Sequence, residues 1–252
     1  MKGYQAPAVR KAFHILSLIA NADAPLSVTE IALALGMSKG TTFGILSALE
    51  REGVVMRDHR KRYSVGPRLI ELGRRGLVRL PLRQVAKEEM RRLMVLLGET
   101  VFLGVLNEDR ITVVEVVESE EELKITSPRG ASIPLTAGAA GKVFLASMEE
   151  SEAERLLKEK GLPPYTKRSI TDLHTYMEEL KEVKKRGVAF DNEEYLREVR
   201  AVATPIETPS PPPAALWLVG FSSRMSQEKM ERAAQELLEA ARSISKRLKE
   251  LA

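Results

Sequence analysis

Residues 26–65 have the sequence LSVTEIALALGMSKGTTFGILSALEREGVVMRDHRKRYSV, which predicts two short helices, a tight turn and a basic β-hairpin. Leu26, Ile31, Ala32 and Leu35 have the spacing of one helix face, so the first helix is predicted to include Leu26. Gly36 and Gly53 are predicted to end the helices, because glycine adopts the left-handed backbone that closes a helix. Ser38 is predicted to cap the second helix through its hydroxyl oxygen. Elements in this order indicate a winged helix-turn-helix, which is a DNA-binding fold.

The second helix presents polar side chains opposite its apolar face, mainly in its first half. In helix-turn-helix proteins this half enters the major groove. The DNA contacts predicted from this helix are Ser38, Lys39, Thr41, Thr42, Phe43 and Ser47. Base contacts are expected first from Lys39, Thr41 and Thr42, because lysine bonds guanine edges or phosphates and threonine methyls pack against thymine.

The hairpin that follows carries four cations within six residues, namely Arg57, Arg60, Lys61 and Arg62. These side chains can neutralise phosphates beside the groove that the helix occupies. A basic hairpin by itself is more often a solvated surface. Its position directly after a helix-turn-helix favours a DNA-binding wing over that alternative.

The composition excludes several classes of protein. A length of 252 residues suits two domains, each able to bury a core. The chain has no cysteine, which excludes disulfides, thiolate metal sites and thiol nucleophiles, and its three histidines are widely spaced. We therefore expect no metal and no other cofactor. No apolar run is long enough to span a membrane and the N-terminus lacks an apolar signal core, so a cytoplasmic protein without a membrane partner is predicted.

The charge is unevenly distributed along the chain. Residues 1–80 contain 13 Lys and Arg against 6 Asp and Glu, whereas the rest contain 26 against 29. Such asymmetry suits a protein in which one part binds a polyanion and the other does not. The charge asymmetry, together with a helical pattern that Pro81 interrupts, predicts three segments. They are a DNA-binding domain at 1–66, a linker helix at 67–81 and a second domain at 82–252.

The second domain is predicted to mix helices with antiparallel strands, which places the chain in the α/β (α+β) class. A helix up to Leu97 is followed by two strands between residues 100 and 119 and a third strand at 123–128. Ser147 and Glu150 have the spacing of a capping box. The proline-rich residues 207–214 are predicted to form a hairpin tip, because proline cannot donate ladder hydrogen bonds.

Residues 138–142, GAAGK, resemble part of a nucleotide-binding P-loop. That motif requires glycine at position 136 and serine or threonine at 143, where this chain has Thr136 and Val143, so ATP or GTP binding is rejected. The unpaired amides of a helix start do suit a small anion such as a carboxylate. The alternative is that the small residues only permit tight packing.

Residues 191–194, DNEE, place three acids in four positions. Most such clusters are solvated turns. Paired carboxylates can act as acid and base, but the sequence shows no nucleophile or metal-ligand set to work with them, so no enzyme is predicted. Ser222 and Ser223 could add hydroxyl donors to a pocket, or could simply end a strand and cap a helix.

Five blocks of sequence resemble, in their order and spacing, the IclR-type family of bacterial transcriptional regulators. The N-terminal blocks are LSVTEIALALGMSKGTTFGILSALEREGVV at 26–55 and RYSVGPRLIELG at 62–73. The C-terminal blocks are LTAGAAGKVFLA at 135–146, KRGVAFDNEE at 185–194 and VRAVATPI at 199–206. The resemblance covers nearly the whole chain. It implies a winged helix-turn-helix joined by a linker helix to a GAF-like effector-binding domain.

The resemblance also implies a homodimer, or a dimer of dimers, that binds double-stranded operator DNA and changes its grip when a small molecule enters the C-terminal domain. Organic and aromatic acids are the implied effectors. Two of the matching positions, Ala201 and Gly220, are polar in some members, so we expect an effector larger or less polar than a two-carbon keto acid. The effector contacts implied by the resemblance are Ala139, Ala140, Asp191, Ala201, Gly220 and Ser222.

Two positions depart from the family pattern, because Gly44 replaces an arginine of the recognition helix and Glu198 replaces a glycine before the last block. Two alternative functions stay open. The first is an architectural DNA-binding protein with a degenerate pocket, which would show steep salt dependence and little sequence preference. The second is a GAF-like enzyme, which turnover of a bound ligand would reveal.

Overall fold

The structure is a computed structural model that describes residues 6–78 and 81–251. The chain divides into two compact units, Met1–Arg79 and Leu80–Ala252. Each unit has a hydrophobic core of its own, the first around Ile15, Leu46 and Tyr63 and the second around Phe144 and Trp217. The mixed α/β class predicted from the sequence is confirmed.

The first unit is a winged helix-turn-helix, as predicted. Its three-stranded sheet has the order β1-β3-β2 with antiparallel pairs. The apolar faces of the helices and the inner face of this sheet share one core. Its elements are α1 (Pro7–Ala20), β1 (Leu26–Ser27), α2 (Val28–Ala34), α3 (Lys39–Arg51), β2 (Val55–Arg57), β3 (Arg62–Val65) and α4 (Pro67–Val78).

The start of α2 differs from the sequence interpretation, which placed Leu26 within the helix. Leu26 instead pairs with Tyr63 of β3 in the small sheet. Ser27 is the N-cap of α2, since its side chain accepts the amide of Glu30 while the carboxylate of Glu30 accepts the amide of Ser27. The extended backbone that an N-cap requires lets Leu26 join the sheet.

The second unit is built on a six-stranded sheet with the order β6-β5-β4-β9-β8-β7, in which every neighbouring pair is antiparallel. Helix α6 packs against β8, β7 and β9, whereas α5 and α9 pack together and α9 also contacts β8. The elements are α5 (Pro81–Leu97), β4 (Thr100–Asn107), β5 (Arg110–Val117), β6 (Ser132–Pro134), α6 (Gly138–Ala146), α7 (Glu150–Lys160), α8 (Leu173–Arg186), β7 (Ala189–Asn192), β8 (Val199–Ile206), β9 (Ala214–Phe221) and α9 (Gln227–Glu250).

Two local predictions in this unit are wrong. Residues 123–128 form no strand, because β6 occupies the edge beside β5 through the pair Ile111 and Ile133. Ser147 does not cap α7: it ends α6, and its hydroxyl donates to the carbonyl oxygen of Phe144 at 2.7 Å. The proline-rich residues 207–214 do connect the antiparallel strands β8 and β9, as predicted.

Within residues 6–78 and 81–251, no single helix is both long and apolar enough to cross a membrane. One bent pair, Val28–Ala34 with Lys39–Arg51, meets the length and composition requirement jointly, with a bend of 116°. The same described residues contain no group of three or more His, Asp or Glu side chains placed to hold a metal ion.

Gly141 allows α6 to pack against the segment before it. A β-carbon at this position would lie directly against the carbonyl oxygen of Leu135, a backbone atom that cannot rotate away.

Replacing Gly141 by alanine is therefore expected to destabilise the second unit by about 1–3 kcal/mol, the usual cost of overpacking. Urea unfolding of the full-length protein measures this loss. The matched control is Gly44→Ala in α3, where the added methyl meets nothing within 4 Å and stability should hold or rise. Equal unfolding midpoints for wild type and Gly141→Ala would contradict the expectation.

Candidate functional sites

The exposed side of α3 is open to a large partner. Lys39 and Thr41 are exposed, and the ring of Phe43 is 49% exposed despite its apolar character. No atom lies within 4 Å of a β-carbon built on Gly40 or Gly44. This helix therefore combines a cation, a hydroxyl, an aromatic ring and bare backbone on one surface that the first unit leaves uncovered.

Thr42 is a correction to the predicted set of DNA contacts. Its side chain is completely buried, and its hydroxyl donates to the carbonyl oxygen of Ser38 at 3.0 Å. Thr42 lies four residues before Leu46, which is also buried, so helical spacing alone assigns it to the inner face. Thr42 cannot contact a base without unfolding the start of α3.

Ser38 has a structural role that leaves its hydroxyl engaged. Its hydroxyl oxygen accepts a hydrogen bond from the amide of Thr41 at 3.1 Å, and its O–H group donates to the hydroxyl oxygen of Thr41 at 2.9 Å. The predicted N-cap is thus confirmed. At the other end of α3, Ser47 is half-buried and its carbonyl oxygen accepts Nε of Arg51. Arg51 is an exposed cation of the same helix that the sequence interpretation did not select.

The tip of the wing, the hairpin β2–β3, is organised by Asp58. Its Oδ1 accepts the amides of Arg60 and Arg62 at 2.9 and 2.8 Å, and the hydrogen bond from Arg62 is the main reason that the pKa of Asp58 lies below its ordinary value. Arg57 lies over the ring of Tyr63, 5.7 Å from its centroid. The charged groups of Arg60 and Lys61 form no hydrogen bond or ion pair with a described residue, so both are available to phosphates.

Arg62, by contrast, holds the wing to α2. Its guanidinium donates to both carboxylate oxygens of Glu30 at 2.9 and 3.1 Å and to the carbonyl oxygen of Pro25 at 3.1 Å. The pKa of Glu30 is lowered, chiefly by the amide of Ser27 and additionally by Arg62. The sequence interpretation assigned Arg62 to a phosphate contact. In the structure Arg62 forms an ion pair with Glu30, which lies 32 residues away in the sequence. The two terminal nitrogens of Arg62 therefore help to position the wing.

The second unit contains a cavity of about 280 Å³ between the start of α6 and the sheet. Asp191, Ala201 and Val219 face each other across β7, β8 and β9 and form one row of its wall. The complete lining is Phe102, Ile125, Thr126, Ser127, Ala131, Ser132, Ile133, Ala137, Gly138, Ala139, Ala140, Asp191, Tyr195, Leu196, Val199, Ala201, Trp217 and Val219.

Asp191 is the charged group of this cavity and is 3% exposed. Its Oδ1 accepts the amides of Glu194 at 2.6 Å and Tyr195 at 3.4 Å, whereas Oδ2 accepts no hydrogen bond from a described residue. Burial raises the pKa of Asp191 to about 6, against the lowering effect of the Glu194 amide. The first residue of the DNEE segment is therefore buried, in contrast to the solvated turn that such clusters usually form.

The first turn of α6 offers donors to the same cavity. The amides of Gly138, Ala139 and Ala140 find no acceptor among the described residues, and Ala137 at the N-cap has no side chain able to accept one. Gly138 adopts φ +61°, a conformation that glycine accepts without cost. Free helix-terminal amides attract a small acceptor or anion.

An aromatic wall completes the cavity. The rings of Phe102 and Trp217 are stacked, with centroids 5.6 Å apart and an interplanar angle of 9°. Gly104 makes room for them, since a β-carbon there would lie 2.7 Å from the indole ring of Trp217. Trp217 is not among the effector contacts expected from the sequence. Only the pairing of β4 with β9 brings Phe102 opposite Trp217.

Two residues implied by the family resemblance do not line the cavity. Gly220 belongs to the neighbouring row with Asn192 and Arg200, and a β-carbon on it would meet the carboxylate of Glu99 on the other side of the sheet. Successive residues of a strand point to opposite faces, so Val219 occupies the place expected for Gly220. Ser222 lies beyond β9, where its amide donates to the carbonyl oxygen of Glu198 at 2.7 Å. Ala139, Ala140, Asp191 and Ala201 do line the cavity.

A buried lysine lies beneath Asp191. Lys142 is 1% exposed, and its Nζ donates to Glu194 at 2.8 Å, to Glu179 at 3.0 Å and to the carbonyl oxygen of Phe190 at 2.9 Å. All three of its ammonium donors are therefore used within the protein. This commitment agrees with the rejection of a P-loop, in which the lysine would bind phosphate.

Comparison with known proteins identifies both units. A family sequence model described as the IclR helix-turn-helix domain matches residues 8–59, and one described as the bacterial transcriptional regulator IclR C-terminal matches residues 75–246. The transcriptional regulator BhcR of Paracoccus denitrificans is 33% identical over 94% of this chain and 86% of its own. An IclR transcriptional regulator structure from Alicyclobacillus acidocaldarius is also 33% identical, covers 97% of this chain and 100% of its own, and superposes with a TM-score of 0.81.

The IclR structure from Thermotoga maritima gives the same identity of 33%, with coverages of 96% and 98% and a TM-score of 0.67. These relatives are transcriptional regulators and not enzymes. The matches span the DNA-binding unit as well as the unit that contains the cavity. The chain therefore belongs to the IclR family of bacterial transcriptional regulators.

Proposed function

We propose that this regulator binds operator DNA through α3 and the wing, and that a small organic acid in the Asp191 cavity changes its affinity for that DNA. The observation that carries the proposal is the cavity itself. It combines free amides at the start of α6 with an unpartnered carboxylate oxygen and an aromatic wall, within apolar surroundings. A few convergent polar groups in an apolar cavity are the usual composition of a ligand site.

The DNA contacts proposed are the exposed members of the predicted set. Lys39 and Thr41 are placed to bond bases or phosphates from α3, and Phe43 is placed to pack against a thymine methyl. Arg60 and Lys61 contribute phosphate contacts from the wing. Arg57 and Ser47 complete the set from the edges of these surfaces. Ser38 and Arg62 act by positioning their neighbours.

The effector proposed is a compact monocyclic or branched carboxylic acid. A cavity of about 280 Å³ is near the lower end of the range for ligand pockets. The side chains of Ala201 and Val219 give no hydrogen bond to a second polar group, and the Phe102–Trp217 stack suits a flat apolar body. These features favour an acid with an apolar body over a two-carbon keto acid.

The regulator proposed is a homodimer or a dimer of dimers. Two helix-turn-helix domains bind half-sites about one helical turn, or a multiple of it, apart. A bound ligand that changes the spacing of the two domains lowers the affinity for DNA without altering any single base contact. The size of this effect is the coupling free energy between the ligand site and the DNA site.

Ala201→Leu tests the link between the cavity and DNA binding. The larger side chain enters the cavity from β8 and is expected to weaken effector binding by about tenfold or more, because overpacking costs about 1–3 kcal/mol. Operator affinity without effector should stay at the wild-type level. A thermal-shift screen of small carboxylates finds the ligand, and fluorescence anisotropy of a labelled operator duplex measures its effect.

Ser151→Leu, an exposed position of α7, is the control for the added leucine. An operator affinity that responds to none of the acids bound by the wild type would refute effector control. Tight DNA binding with little sequence preference would favour the architectural alternative, since a regulator should prefer its operator over other DNA by about a thousandfold or more.

A further inference from the structure

Among the described residues, no cation lines the cavity to balance an acidic ligand. None of its lining residues is lysine, arginine or histidine, and the charged side chain among them is the carboxylate of Asp191. A carboxylate that binds the α6 amides would thus enter a small apolar space that already holds an acid. Two carboxylates in one poorly solvated site do not both remain ionised, as like charges raise the affinity of the pair for a proton.

The groups around Asp191 do not remove this conflict. Lys142 of α6 is a cation whose charge acts on Asp191, but its donors are used by Glu179 of α8, by Glu194 and by a backbone carbonyl. Glu194 itself adds negative charge beside Asp191. The phenol of Tyr176 on α8 interacts electrostatically with Asp191, and Tyr195 in the loop after β7 lines the same cavity. Burial raises the pKa of both phenols.

The proton has a defined place in the geometry. Oδ1 of Asp191 is occupied by the amides of Glu194 and Tyr195. Oδ2 lies beside Gly138, a cavity residue in the first turn of α6, since a β-carbon built on Gly138 would be 2.7 Å from it, and Oδ2 has no hydrogen-bond partner among the described residues. A proton on Oδ2 converts an acceptor into a donor beside the first turn of α6. It then joins the free amides of Ala139 and Ala140 as a third donor to a bound carboxylate.

The proton belongs on Asp191 and not on the ligand. The pKa of Asp191 is raised to about 6 by burial, whereas a simple carboxylic acid has an ordinary pKa near that of a glutamate, about 4.3. The free helix-terminal amides further favour the ionised form of the ligand.

We propose that the pocket takes its anionic effector together with one proton, which is held on Oδ2 of Asp191. This inference rests on the proposed function, because it assumes that the cavity is the effector site. It makes the regulator respond to the acid more strongly at low pH. The opposite arrangement, with Asp191 ionised, would select a neutral or cationic ligand that donates a hydrogen bond.

Benzoate and its neutral analogue benzamide are suitable probes, because Trp217 is the single tryptophan of the chain and lines the cavity. Quenching of its fluorescence reports binding to the full-length protein between pH 5 and 8. Benzoate affinity is expected to fall by about tenfold per pH unit above pH 6, while benzamide affinity stays constant. Calorimetry in two buffers of different ionisation enthalpy should show uptake of about one proton per benzoate at pH 8.

Asp191→Asn separates proton uptake from a merely structural role. The asparagine oxygen can still accept the amides of Glu194 and Tyr195, and its NH₂ group replaces the proton on Oδ2. This variant should bind benzoate at pH 8 as tightly as the wild type does at pH 5.5, without proton uptake. Glu182→Gln, an exposed acid of α8, is the control and should retain the wild-type pH profile.

Three results would overturn the inference while leaving the pocket intact. They are benzoate affinity that is constant or rises with pH, binding of benzamide but not benzoate at pH 5.5, and loss of benzoate binding in Asp191→Asn at pH 5.5. Failure of the wild type to bind either probe or any acid of the screen would overturn the proposed effector site together with the inference.

Discussion

Replacing Lys39, Arg60 and Lys61 together by alanine is expected to weaken operator binding by about a hundredfold to a thousandfold near physiological salt. Lys39 lies on the exposed side of α3, and Arg60 and Lys61 lie at the tip of the wing, where their charged groups form no hydrogen bond or ion pair with a described residue. Each cation lost from a phosphate contact also reduces the slope of log affinity against log salt by about 0.9. The combined variant should therefore have a slope smaller than that of the wild type by about 2.7 for each bound protomer, or about 5.4 for the proposed homodimer.

The measurement uses a duplex selected from random sequence by the wild-type protein, titrated at several salt concentrations. The matched control removes three exposed lysines of the second unit, Lys184, Lys185 and Lys246, and so makes the same change in net charge. A wild-type slope for the Lys39, Arg60 and Lys61 variant would refute this DNA-binding surface. A similar loss in the control would show that net charge matters and not these contacts.

The helix-turn-helix could be predicted because its determinants are local. Helical spacing, the N-cap at Ser38 and the glycines that end the helices all act within a few residues. The same spacing could have excluded Thr42, which lies on the buried face with Leu46. Arg62 could not be excluded in this way. Its partner Glu30 meets it only after β3 has paired with β1.

The cavity was predicted less completely, because a sheet demands exact register. If a family resemblance identifies a strand residue one position away from the true contact, it selects a side chain on the opposite face of the sheet, because successive side chains alternate. This is why Val219 lines the cavity and Gly220 lies against Glu99. Glu198, which replaces a glycine in the family pattern, shows the complementary case. Glu198 adopts φ +60°, a left-handed backbone conformation that glycine adopts readily. This conformation explains the preference for glycine at this position.

The buried ion cluster is formed by residues distant in sequence. Lys142 meets Glu179 and Glu194, which follow it by 37 and 52 residues, once α6 has packed against α8 and β7. No local pattern distinguishes these acids from the exposed ones around them. Burial, however, makes the cluster one of the more sensitive parts of the second unit.

Replacing Lys142 by methionine is expected to destabilise the second unit by about 2–4 kcal/mol near neutral pH. Removing one partner of a buried ion pair usually costs about 3–5 kcal/mol, and we expect somewhat less because Glu179 can turn toward solvent. The loss should depend on pH through Asp191. Its folded pKa is already raised above the unfolded value, so its ionisation opposes folding increasingly as pH rises through about 6. Without the nearby ammonium this opposition grows, because Lys142 lowers the pKa of Asp191.

Urea unfolding of the full-length protein at pH 5 and pH 8 measures both effects, and the difference between wild type and Lys142→Met should be larger at pH 8. Lys184→Met, at an exposed position of α8, is the control for the same substitution and should change stability little. Adding Glu194→Gln to Lys142→Met removes one of the carboxylates left without a cation, so it should restore part of the lost stability. Equal losses at both pH values, with no recovery in the double variant, would mean that Lys142 contributes packing alone. The charge of Lys142 would then have no part in setting the protonation of Asp191.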